Sequence, residues 1–309
     1  MSYVYSVTTV VAIFSMLTLA LNLQFGQGGM INFGLVAFFA VGAFAYAILI
    51  QPPPTAFQEY AVGLELNPLL AVPLAVLASV VVAFAIGRVV LRLRAEYFAL
   101  ATFAFAQVVE SLFVNVREIG NGVRGLSGID PPIEPLANDY SLWFMVGAIV
   151  VLAVTWLVLN RLTGSRFGAT LRATRDDEVA AAALGKDVEQ FRMGAFLVGA
   201  AVAGLAGVLY ASYTTHVAPE LFTADVTFIA FIALVIGGLG SNLGAIVGAI
   251  VFFGIEELLD LIPLSADTAV VVSSAKIIPF GLAVILVLRF APGGLMGSVS
   301  PRLRRQVST

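Results

Sequence analysis

Composition, run length and the placement of charge together predict an all-α polytopic membrane protein that crosses the bilayer about nine times. Of its 309 residues 60% are hydrophobic and 11% charged, against about 25% charged in an ordinary soluble domain. Sixteen basic and nineteen acidic side chains are too few to cover a water-facing surface of this size. That excludes a water-soluble enzyme, a disordered chain and a nucleic-acid binder, which needs a basic face. The chain has no cysteine, so disulfide frameworks, thiolate zinc sites and cysteine nucleophiles fall together. The apolar runs are continuous rather than alternating, which argues against a β-barrel.

Crossing a hydrocarbon layer of about 30 Å takes about 20 apolar residues at about 1.5 Å each. Nine runs qualify: 4–24, 29–50, 68–87, 97–116, 141–160, 193–214, 223–240, 243–261 and 269–289. The first has no Lys or Arg before it, so it lacks the charged leader of a signal peptide and reads as a mature span. The second opens on glycines and the third is bounded by the prolines of the preceding loop. Little chain remains between spans, so the whole length 1–309 reads as one transmembrane domain with short loops.

The basic residues orient the bundle. Arg88, Arg92 and Arg94 follow the third span, six more lie between the fifth and sixth, and Arg289, Arg302, Arg304 and Arg305 follow the last. The loops 51–67, 215–222 and 262–268 hold no Lys or Arg. By the positive-inside rule the basic loops are cytoplasmic, with the N-terminus outside and the C-terminus inside. Arg117 and Arg124 break the pattern in the loop 117–140, alongside acidic Glu118, Asp130, Glu134 and Asp139.

One loop differs from the rest. Residues 161–192 read RLTGSRFGATLRATRDDEVAAAALGKDVEQFR and hold 11 of the 35 charged side chains. Arg172 and Asp176 stand at i, i+4 and are expected to pair. The run Asp176, Asp177, Glu178 suits a helix N-terminus and Gly185 a helix end. The alanines at 180–183 give a flat face with little side-chain entropy to lose on docking. The loop is thus either a solvated connector or a rigid knob for a cytoplasmic partner.

The string RFGATLRATRDDEVAAAALGKDVEQFRMGAFLVGAAVAGLAGVLYA closely resembles the permease subunits of branched-chain amino acid ABC importers, the LivM type. So do LNLQFGQGGMINFGLVAFFAVGAFA at 21–45, LRLRAEYFALATFAFAQVVESL at 91–112, GGLGSNLGAIVGAIVFFGIEELL at 237–259 and RFAPGGLMG at 289–297, nearly the whole chain in order. The resemblance implies an ABC importer permease fold in the prokaryotic cytoplasmic membrane. It implies that the E-x-A-A-x-x-x-G element of this loop is a coupling helix docking on an ATPase, with Glu178, Ala180, Ala181 and Gly185 at its positions. On that reading Arg172, Asp176 and Glu178 hold the knob in shape and Ala180 to Gly185, Leu184 included, make the contact. The implied partners are a second, related permease, two ATP-binding subunits that hydrolyse the ATP, an extracytoplasmic substrate-binding protein and membrane lipid. The chain itself binds no cofactor on this reading.

Two glycine clusters mark the expected pathway: Gly26, Gly28, Gly29, Gly34 and Gly42, then Gly237, Gly238, Gly240, Gly244 and Gly248. Gly42, Gly244 and Gly248 fit close helix packing. The Gly28-Gly29 and Gly237-Gly238 pairs fit broken helices, whose freed backbone groups must be satisfied inside protein or by water, and such breaks in two halves point to a transport pathway. Asn22, Gln24, Gln27 and Asn32 flank the first, Ser241 and Asn242 the second. Glu110 sits inside the fourth span at i, i+3 from Gln107, a polar seam candidate, while Glu256, Glu257, Asp260 and Lys276 fit pairing or snorkelling.

His216 is the sole histidine, so no metal cluster or Ser/His/Asp set is available. The P-loop string is absent, so the chain is no ATPase and no enzyme of that kind. A membrane-embedded enzyme would need convergent His, Asp or Cys residues. A secondary transporter working alone would need no docking loop and would carry buried acid or histidine relays. Branched-chain (hydrophobic) amino acids are the substrate that the resemblance implies, with urea or short-chain amides left open.

Overall fold

The computed structural model describes residues 2–54, 60–129, 140–260, 289 and 293–296. The expected ninth span 269–289, Lys276 and the acidic residues 130, 134 and 139 lie outside those described, as do the side chains of Glu257 and Asp260.

The helices are α1 (Ser2–Leu21), α2 (Leu35–Ile50), α3 (Pro68–Val90), α4 (Ala95–Asn115), the single turn α5 (Arg117–Gly120) and α6 (Tyr140–Gly164). Then come α7 (Arg166–Asp176), α8 (Glu178–Ala183), α9 (Val188–Thr214), α10 (Ala224–Gly237) and α11 (Asn242–Asp260). Six helical stretches among the described residues are long and apolar enough to cross a membrane, and two shorter apolar helices, Leu35–Ile50 and Asn242–Glu256, accompany them.

The second expected span is shortened. Its helix starts at Leu35 and not at residue 29, and its 16 residues rise about 24 Å, less than the roughly 30 Å of hydrocarbon. The missing length is the break itself: α1 runs into a π-helical turn at Asn22–Gln27, then irregular backbone leads to Leu35.

α2 and α9 form the centre, because glycines let their backbones touch. A Cβ on Gly42 would strike the Gly204 backbone, and one on Gly207 would strike the Phe39 carbonyl. In lipid such close approach supplies dispersion where no hydrophobic drive exists between helices. Around it pack the fully buried Ile13, Met16, Leu17, Phe38, Tyr46 and Phe196. Gly244 and Gly248 do the same for α10 and α11, where a Cβ on Gly248 would strike the Ala233 carbonyl.

The loops sort to two ends. A two-residue ribbon pairs Leu126 with Val217 and Ser127 with His216, and Gln51 Nε2 donates to the Ser127 carbonyl at 2.7 Å. Among the described residues these ties gather 51–54, 60–67, 117–129 and 215–222, two basic-poor connections and the mixed-charge loop. At the other end a cavity of about 390 Å³ is bounded by Arg92, Arg94, Glu178, Glu189 and Arg192, so the basic turn after α3 adjoins the loop 161–192.

Candidate functional site

The loop 161–192 folds as its residues demand. Ser165 Oγ caps α7 by accepting from Phe167 N at 3.2 Å, and Asp177 Oδ1 caps α8 by accepting from Ala180 N at 2.9 Å. Gly185, at φ +76°, ends α8. Gly185 N donates to the Ala182 carbonyl and Lys186 N to the Ala181 carbonyl, at 2.9 and 3.2 Å, the paired bonds of a Schellman end. Glu178 accepts from Arg192 at 2.8 Å and fastens α8 to the start of α9.

Two expectations for this loop are corrected. Arg172 does not pair with Asp176: its Nη1 donates to Gln27 Oε1 at 2.9 Å and to the Thr163 carbonyl at 2.8 Å. Asp176 pairs with the adjacent Arg175 instead, at 2.9 Å. Freed carbonyl and amide acceptors beside α7 compete for Arg172 better than a solvated carboxylate does. Ala181 is buried, 4% exposed, and seats α8 rather than facing outward. Ala180 is exposed, and the apolar tips of the knob are Leu184, 81% exposed, and Val179, 79% exposed.

Both glycine pairs break the helices. Gly29 takes φ +69° and Gly238 φ +116°, conformations that a side chain rarely permits. Gly28 ends the π-helical turn, and Gly237 packs within 3.0 Å, by a Cβ's position, of Gly248 Cα. The two breaks then meet. A Cβ on Gly26 would lie 2.7 Å from Gly240 N, so nothing larger than glycine fits between them.

A polar network fills the junction. Gly240 N donates to Asn22 Oδ1 at 2.8 Å, and Asn22 Nδ2 donates to Asn242 Oδ1 at 2.8 Å. Asn242 Nδ2 donates to Thr163 Oγ1 at 3.0 Å. Gln27 Nε2 donates to the Gly240 carbonyl, and Arg175 Nη1 donates to the Gly26 carbonyl. Gln27 thus holds the second break with its nitrogen and Arg172 with its oxygen. Two arginines of one loop helix therefore grip the first break, Arg172 through Gln27 and Arg175 at Gly26, while Gln27 and Asn22 carry the contact on to Gly240 of the second.

The rest of the first break is sealed from within. Asn32 Nδ2 donates to Gln24 Oε1 at 2.9 Å, and Gln24 Nε2 donates to the Phe196 carbonyl at 3.0 Å. Thr102 Oγ1 accepts from Phe33 N at 3.2 Å, and Thr227 Oγ1 from Val36 N at 3.1 Å. Ser241 Oγ accepts from Gly244 N at 3.0 Å and caps α11. Of the expected pathway residues, Asn22 and Gln27 join the network, with Gly28, Gly29, Gly237 and Gly238 forming the breaks. Asn32 and Ser241 satisfy backbone, and Glu110 stands apart, half-buried on α4.

Sequence reasoning missed Thr163 and Arg175, and it named Gly240 in the second glycine cluster and Asn242 beside it without joining either to the first break. The signal for Asn242 was present, an amide directly after a Gly-rich break. For Thr163 and Arg175 there was none, because their partners lie far off in the chain.

Residues 3–284 match the family described as the branched-chain amino acid transport system permease component. The chain belongs to that family. It is 28% identical over 322 residues to the high-affinity branched-chain amino acid transport system permease protein LivM of Salmonella typhimurium, covering 96% of this permease and 71% of that one. It is 24% identical to the probable branched-chain amino acid transport permease protein LivM of Methanocaldococcus jannaschii, covering 96% and 94%. Against the permease protein LivH of Escherichia coli it is 34% identical over 166 residues, about half of each chain (52% and 51%). No solved structure matches it. The permease is a multi-pass membrane protein, and its relatives are transport subunits rather than enzymes.

Proposed function

We propose that this permease forms half of the translocation pathway of a binding-protein-dependent ABC importer for branched-chain amino acids. The observation that carries the reading is the grip of Arg172 and Arg175 on the first break, which Gln27 ties to Gly240 of the second. A knob with exposed apolar tips, Val179 and Leu184, is rigidly capped and continuous with α7. A force on the knob from a cytoplasmic partner therefore reaches Gln27, Gly26 and, through them, Gly240. In this mechanism ATP closes a pair of partner ATPases, α8 moves with them, and the breaks switch between two arrangements.

A second, related permease completes the pathway, and an extracytoplasmic binding protein delivers the substrate. The names of the relatives support branched-chain amino acids over urea or short amides. The basic turn after α3 and the charged loop 161–192, which adjoin at one end, support a cytoplasmic C-terminus and an external N-terminus in a prokaryotic inner membrane.

The test is reconstitution of the permease with its partner permease, ATPases and binding protein in proteoliposomes. Uptake of labelled leucine is expected only with ATP, and the ATPases are expected to co-purify with the permease. Leucine uptake that persists without ATP, or a permease that never associates with the ATPases, overturns the reading.

A further inference from the structure

The exposed faces of the long helices are unlike one another. On α3 they carry Leu70, Leu74, Leu77, Val81 and Phe84, and on α6 Val146, Val150, Val154 and Leu157. These faces suit lipid. On α4 the core face is Phe98, Thr102, Ala106, Val109 and Phe113; the outward face mixes exposed Leu100, Val108 and Leu112 with Gln107 and Ser111, and half-buried Glu110 stands at its edge beside Gln107. Among the described residues no side-chain hydrogen bond or ion pair satisfies Gln107 or Glu110. An unpaired carboxylate and carboxamide at membrane depth are not lipid-facing groups.

Phe103 shares this face, at i−4 from Gln107 and i−7 from Glu110. From it runs a ladder of half-exposed rings. Phe103 lies 6.2 Å from Phe228, Phe228 lies 5.0 Å from Phe33, Phe33 lies 5.1 Å from Phe231, and Phe231 lies 5.4 Å from Phe25. Phe25 belongs to the π-helical turn and adjoins Gly26, whose carbonyl Arg175 holds. An apolar track thus joins a polar stripe on α4 to the break that the loop controls.

We propose that this face is the substrate-conducting wall of the permease, selective for zwitterions with an apolar side chain. Glu110 and the Gln107 carbonyl receive the ammonium, the Gln107 amide nitrogen receives the carboxylate, and the ring faces carry the hydrocarbon side chain. Urea and short amides lack the part that the ladder reads. The inference rests on the importer reading above and assigns its substrate class to named residues.

The permease has no native cysteine, so single cysteines report their own surroundings. In the assembled complex in membranes, Gln107→Cys and Ser111→Cys are expected to react with a water-soluble methanethiosulfonate about tenfold or more faster than Leu77→Cys and Val150→Cys. In proteoliposomes Phe228→Ala is expected to lower leucine uptake about fivefold or more relative to alanine uptake. Labelling no faster than at the lipid-facing controls, or an unchanged leucine-to-alanine ratio, overturns the proposal. Failure of ATP-dependent uptake in the unsubstituted complex overturns the importer reading instead, and fast labelling of Gln107→Cys and Ser111→Cys would still support a water-lined wall.

Discussion

Arg172 shows what a single side chain decides. Its guanidinium bridges an amide oxygen of one break and the carbonyl of Thr163, at 2.9 and 2.8 Å. Both bonds come from one nitrogen, Nη1, whose two N–H groups point at the two oxygens. Replacing it leaves Gln27 Oε1 and the Thr163 carbonyl short of a donor in a partly buried place. We predict that Arg172→Ala uncouples transport, raising the ATP hydrolysed per leucine imported by about tenfold, while Arg172→Lys recovers part of the coupling. The measurement is the ratio of hydrolysis to uptake in the same proteoliposomes, and an unchanged ratio would remove Arg172 from the coupling route. Asp176→Asn is expected to do far less, since the carboxylate meets Arg175 at the surface, 60% exposed. The i, i+4 spacing of Arg172 and Asp176 was legible, but spacing offers only a local partner. The winning partner lies 145 residues away.

At the scale of the element, α8 is a helix too short to stand by propensity alone, so its caps make it. Asp177 closes one end and the Schellman turn at Gly185 the other. Both ends were readable in the string DDEVAAAALG, because capping is local chemistry. Which side faces outward was not readable, and the fold put Ala181 against the body and Leu184 in solvent. Leu184→Glu is expected to abolish co-purification of the ATPases, since a charge replaces a side chain whose burial is worth about 1.5–3 kcal/mol. The fold is expected to survive, judged by the elution volume of the permease in detergent. Full ATPase binding by this variant would show that the knob docks elsewhere or not at all.

For the whole molecule, the ends sort by charge and by pairing. The ribbon of Leu126–Ser127 with His216–Val217 joins two loops, and the cavity beside Gly29 joins the basic turn and loop at the opposite end. Intact cells carrying Leu64→Cys are expected to be labelled by a membrane-impermeant maleimide, and cells carrying Lys186→Cys only after permeabilisation. Reversed labelling would turn the permease over in the membrane and leave the coupling knob on the wrong side.

By itself the sequence determined that this permease lives in a bilayer, where most of its long helices among the described residues run, which glycines interrupt them, and that one loop is charged and capped. These follow from composition, run length and local backbone chemistry, each of which acts over a few residues. Tertiary structure alone decided that the two breaks touch, that Thr163 and Asn242 complete their network, and that Arg172 and Arg175 reach it from the loop. It also shortened the second span, because the residues from 28 to 34 are spent on the break. The physical reason is the same in each case. A backbone group freed from a helix within the membrane must find a partner, and in a folded bundle the nearest partners come from distant parts of the chain.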